Sequence, residues 1–176
     1  MTAKNDNSAT AKFDTQCMRQ CIAVAAEGAK MLDFPFGALV VHDGRVISCR
    51  HNEALDSKQV YRHAELLALA DAQRELTASQ LKEVTLYSTV EPCAMCAFAV
   101  QELGIKRVVF GLRSPIMGGF SKWPVLQDAQ LGEAFPNTFG KAPEIVPDFL
   151  KEEVIAGWRT WNEERWQKFV SKHVFC

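Results

Sequence analysis

The chain has 176 residues, 48% of them apolar and 23% charged, with a formal net charge of −1. That is enough chain to bury one sizeable core without disulfide or metal staples, in a composition ordinary for a globular domain. No apolar run is long enough to span a membrane, no signal-peptide pattern opens the chain, and no basic excess advertises a polyanion partner. The expectation is a cytoplasmic protein with one domain over residues 13–176.

Residues 1–12 are small and polar without periodicity and read as a mobile tail. From Asp14 onward, Met18, Cys21, Ile22 and Ala25 fall at the spacing of one helix face, and the helix ends near Gly28 or Lys30. Two β-rich runs, 37–41 and 45–49, flank His42-Asp43-Gly44, a strong hairpin signal. Gly37 permits close backbone approach, either to a ligand near Phe36 or simply at a strand entry.

Further on, 63–75 reads as a helix, 83–89 as a strand, 93–103 as a largely buried helix and 106–110 as another strand. Strand, helix and strand in short succession predict a βαβ unit, so a sheet that also holds the hairpin is mixed. Residues 114–147 are rich in Gly and Pro and read as a long functional loop, in which 118–124 is a pocket wall, a lid or an oligomer contact. From 148 to 172 the pattern is helical, with an aromatic stripe of Trp158, Trp161, Trp166 and Phe169. Such a stripe serves the core or an interface, or sets one ring over a flat substrate.

The chemistry concentrates in two short segments, His63-Ala64-Glu65 and Pro92-Cys93-Ala94-Met95-Cys96. Zn²⁺ takes Cys sulfur and His nitrogen in a tetrahedral shell, and three protein ligands with one position left for water is the catalytic pattern. His63, Cys93 and Cys96 are the expected ligands. Cys93 and Cys96, three apart at a helix start, share a face, whereas Glu65, two from His63, points elsewhere and suits a general acid/base. The remaining cysteines, Cys17, Cys21, Cys49 and Cys176, read as reduced and mostly core residues.

His-Ala-Glu followed by Pro-Cys-x-x-Cys resembles the zinc-dependent cytidine deaminase superfamily. Pro35-Phe36-Gly37-Ala38, His51-Asn52, Thr85-Leu86-Tyr87 and Arg107-Val108-Val109-Phe110-Gly111 resemble segments of its guanine, cytosine and tRNA adenosine deaminase branch. The resemblance implies a three-layer α/β/α sandwich on a mixed, roughly five-stranded sheet, a Zn²⁺ cofactor and a homodimer. It further implies that Asn52 hydrogen-bonds the base, that the backbone around Ala64 and Glu91 helps to read it, and that Phe36 packs against its ring.

The implied reaction is hydrolytic removal of the exocyclic amine from a free nucleobase or nucleoside, guanine-like or cytosine-like, with release of ammonia. A tRNA-specific adenosine deaminase is the alternative, which the absence of a basic balance disfavours. A non-catalytic zinc-containing binding subunit is a third reading, and the retained Glu65 speaks against it. Gln59-Val60-Tyr61-Arg62 replaces the Asp-Pro-Thr-Ala of many relatives, leaving Arg62 either to meet a substrate anion or to face solvent.

Overall fold

The computed structural model describes residues 3–31 and 33–176, with side chains from Ala9 onward. Strands β1 (Gly37–His42), β2 (Arg45–His51), β3 (Thr85–Val90), β4 (Arg107–Leu112) and β5 (Glu144–Val146) form one sheet in the order β2-β1-β3-β4-β5. β1 runs antiparallel to both β2 and β3, while β3, β4 and β5 are parallel. The sheet is therefore mixed and five-stranded. The hairpin turns at Asp43 and Gly44, both at positive φ (48° and 71°), as a two-residue turn matched to strand twist demands.

Among the described residues there are six α-helices: α1 (Ala3–Lys30), α2 (Ala64–Glu75), α3 (Ala78–Leu81), α4 (Ala94–Leu103), α5 (Ala129–Ala134) and α6 (Lys151–Ser171). Strand alternation divides the core. Ala38, Val40, Leu86, Val108 and Phe110 face α2 and α4, whereas Leu39, Val41, Tyr87 and Val109 face α1 and α6. The result is a three-layer α/β/α sandwich of the cytidine-deaminase-like type.

Three elements differ from their sequence patterns. Helix α1 reaches back to Ala3, through the segment read as a tail. Residues 9–12 there are exposed, so no buried face announces the helix, yet propagating an established helix costs little. Met1 and Thr2 lie outside the described residues. The 114–147 stretch holds a 3₁₀ turn (Val125–Gln127), α5 and β5. β5 has three residues, too few for a period of two to register, and backbone pairing to β4 makes it a strand. Helix α6 breaks at Asn162, whose backbone is extended (φ −165°, ψ 99°) and whose Oδ1 accepts from Arg165 N at 2.9 Å, starting a second helical segment.

α1 is tied to the sheet by a buried polar cluster. Asp14, 4% exposed, accepts from Tyr87 Oη at 2.6 Å and from Arg107 Nη1 and Nη2 at 2.9 and 2.7 Å. A bidentate charge-assisted pair of this kind fixes orientation as well as distance. Gly37 allows the same helix to come close: a Cβ there would stand 2.3 Å from the Cys21 carbonyl oxygen. The close approach is thus to α1. Gly37→Ala is expected to destabilise the fold by about 1–3 kcal/mol through overpacking, read as a lower urea midpoint at unchanged slope.

Candidate metal centre and adjoining cavity

Both ligand segments sit at helix starts on the same side of the sheet. His63 is the N-cap residue of α2 and Cys93 that of α4, each with extended backbone and no side-chain capping bond, while Cys96 lies in the first turn of α4. Their side chains are consequently free to converge. Cys93 Sγ and Cys96 Sγ each lie 3.5 Å from His63 Nδ1, and the two sulfurs are 3.6 Å apart.

That triangle fits a tetrahedral metal. Zn–S bonds of about 2.3 Å and Zn–N bonds of about 2.1 Å at tetrahedral angles give S···N edges of about 3.6 Å and S···S edges of about 3.8 Å. Among the described residues, these three form the one group of His, Cys, Asp and Glu side chains gathered closely enough to hold an ion. Cys17 and Cys21 gather no third ligand.

The electrostatics favour ligation. The Cys93 thiol is pulled down to about 4, first by hydrogen bonding with Cys96 and then by His63 and the Cys96 backbone N–H, against the opposing effect of burial. Hydrogen bonding with Cys93, and to a lesser extent its charge, in turn raises Cys96 and His63. Helix N-termini add a positive potential that suits anionic sulfur.

Glu65, 6% exposed, reaches the same centre from the first turn of α2. Its Oε2 lies 3.7 Å from Cys96 Sγ, and its Oε1 accepts from Ser88 Oγ at 3.1 Å. Burial first, and then the neighbouring Cys93, raise its pKa. A carboxyl group whose neutral form is favoured in this way is suited to take up a proton and give it back.

A cavity of about 480 Å³ opens beside this cluster, in the size range of small-molecule sites. His63, Glu65 and Cys93 form one wall; Phe34, Phe36 and Asn52 form another. The third comes from the C-terminal part of the chain, with Trp158, Phe169 and Phe175. Trp158, 1% exposed, packs edge-on against Phe36 at 5.2 Å and lies 4.9 Å from the Phe175 ring. The aromatic stripe of α6 therefore serves the core and the cavity at once. The last residues are held there by backbone bonds, Cys176 N donating to Arg113 O at 3.1 Å and Arg113 N to Cys176 O at 3.2 Å.

The residues expected to read the base fall into separate places. Phe36, Asn52 and Glu91 all line the cavity, while the Ala64 side chain packs in the core and its backbone, the part expected to help read the base, lies in the first turn of α2 beside Glu65. The Glu91 carboxylate accepts from Ser114 N, Phe120 N and Ser121 N at 2.9, 3.1 and 2.8 Å and from Ser121 Oγ at 2.5 Å. It is committed to holding the 114–121 loop against the metal segment. Arg62 donates through Nε and Nη2 to Glu53, so its guanidinium is already paired. Ser88, Asp33 and the C-terminal tail escaped the sequence reading, because nothing local marks a Ser in a strand, an Asp in a connector or a Phe near a chain end as neighbours of a site.

The family model for the zinc-binding region of cytidine and deoxycytidylate deaminases matches residues 11–112. The chain belongs to this family. The subunit tad2 of the tRNA-specific adenosine deaminase of Schizosaccharomyces pombe is 36% identical over 160 residues, covering 86% of this chain, which spans only 42% of that relative's length. The tRNA-specific adenosine deaminase of Aquifex aeolicus is 33% identical over 126 residues, covering 68% of this chain and 82% of its own. Guanine deaminase from Bacillus subtilis superposes with a TM-score of 0.54 at 32% identity, over 57% of this chain and 64% of that one. Among the described residues, no helix is long and apolar enough to cross a membrane.

Proposed function

We propose that this deaminase-family chain removes the exocyclic amine of a purine ring by zinc-dependent hydrolysis, with the adenosine of a tRNA as its first substrate. The observation that carries the reaction is the buried Glu65 carboxylate, 3.7 Å from Cys96 Sγ in the wall of a cavity shared with His63 and Cys93. His63, Cys93 and Cys96 would hold Zn²⁺, a Lewis acid that makes water acidic enough to attack near neutral pH. Glu65 Oε2 takes the proton released by the attacking water, passes it to the ring nitrogen beside the reacting carbon and assists departure of ammonia. Ser88 holds Oε1, so Oε2 is the oxygen left for this work.

Purine is favoured over pyrimidine because the named relatives above 30% identity act on adenosine in tRNA or on guanine. The tRNA reading, disfavoured by the lack of a basic balance and by the resemblance of Phe36 to the guanine-deaminase branch, moves ahead because identity to the tRNA enzymes extends over 86% of the chain in one case. A free guanine-like base is the second reading, supported by the aromatic C-terminal wall over the cavity and the net charge of −1.

The deciding experiment supplies the zinc-loaded protein with an anticodon stem-loop carrying a wobble adenosine, and separately with guanine, adenine, cytosine and their nucleosides. Inosine in the stem-loop supports the first reading. Ammonia from guanine alone supports the second, and product only from cytosine or cytidine overturns the purine assignment.

A further inference from the structure

We infer that Asp33 sets the substrate preference of the cavity by fixing which end of the Asn52 carboxamide is turned toward the substrate. This rests on the purine-deaminase reading, in which Asn52 contacts the base or its sugar. Asp33 lies in the connector between α1 and β1 and is 1% exposed; Asn52, just past β2, is 4% exposed and lines the cavity. Asp33 Oδ1 accepts from Asn52 Nδ2 at 2.7 Å and from Phe34 N at 2.7 Å, and Oδ2 accepts from Leu55 N at 2.9 Å. Phe34 and Leu55 also line the cavity, so one buried carboxylate ties together three of its wall residues.

A carboxamide has a donor end and an acceptor end of nearly equal shape, and only its partners decide which way it turns. A carboxylate accepts. The Asn52 NH₂ therefore faces Asp33, since the flipped amide would bring two oxygens to 2.7 Å. Oδ1 is left as the other end, and among the described residues no donor meets it. Asn52 thus presents an acceptor, and the substrate group opposite it must be a donor. A ring N–H of a guanine-like base qualifies, as does a ribose hydroxyl of adenosine in RNA. The ring nitrogens of adenosine, with N9 bonded to the sugar, are all acceptors and do not. Asp33 touches no substrate; it is a positioning residue acting through Asn52.

The test compares wild type and Asp33→Asn, each loaded with zinc, on the stem-loop and on guanine. An Asn at 33 can pair with Asn52 in either orientation, so the acceptor is no longer held outward. Asp33→Asn is expected to raise KM on the order of tenfold, about the size of one hydrogen bond, with kcat within roughly threefold and zinc content unchanged.

An unchanged KM in Asp33→Asn would overturn the inference. Should the variant lose cooperative unfolding, the wild-type side-chain amides carry the test alone, an Asn52 NH₂ that exchanges as freely as an exposed amide being the adverse result. Turnover of neither probe by wild type would defeat the functional reading instead. The ¹⁵N spectrum of the side-chain amides then decides the pairing: an exchange-protected Asn52 NH₂ that disappears in Asp33→Asn supports it, and identical spectra overturn it.

Discussion

Replacing Glu65 with Ala is expected to lower kcat by about 10³–10⁴-fold while zinc content and cooperative unfolding persist. The loss is at the upper end for a general acid/base because one carboxyl group serves proton uptake, ring protonation and departure of the amine. The metal should stay, since the three ligand atoms meet one another at 3.5 to 3.6 Å without Glu65 among them. Stability should change by no more than about 2 kcal/mol, because the variant leaves Ser88 Oγ without its acceptor but also removes a carboxylate that burial disfavours. Glu65→Gln sharpens the test. It keeps the shape and an acceptor for Ser88 but cannot shuttle a proton, so it should be as inactive as the alanine variant. A rate within tenfold of wild type in either variant would remove Glu65 from the mechanism.

The second large effect is on the metal. Cys93→Ala is expected to weaken zinc binding by more than about 100-fold, the upper end of what altering a ligand's own hydrogen-bond partner costs, and to lose activity with it. Cys93 carries the charge of the cluster, its thiol being held at about 4 by Cys96 and His63. α4 is anchored by its buried residues Ala97, Val100 and Gln101, so the helix should survive the change. Zinc measured after dialysis against a weak chelator reads the outcome directly. Full occupancy in this variant would contradict the ligand assignment.

The metal cluster was legible because its information is local. His63 and Glu65 stand two apart, Cys93 and Cys96 three apart, and the strand-to-helix transitions that aim them are written in hydrophobic period and in Pro92. The hairpin at Asp43-Gly44 was equally plain, since few residues other than Gly, Asn and Asp tolerate its positive φ. Residues 38–41 are apolar at every position, and it was the resemblance to the deaminases that supplied the helical layers on both faces of the sheet.

What the sequence by itself determined about this protein is therefore its family, its layered fold and the identity of the residues suited to hold metal and move protons. Only the tertiary structure decided what surrounds them. Asp33 meets Asn52 across 19 positions and Ser88 meets Glu65 across 23, through the order β2-β1-β3 and its register. Phe175 reaches the cavity because the chain end pairs with Arg113, far from it in sequence. Gly37 proved to serve a helix contact, and Arg62 to serve Glu53. Periodicity and ligand chemistry are properties of neighbouring residues. The partner a polar side chain finds depends on which strands lie side by side, and that is settled only when the whole core packs.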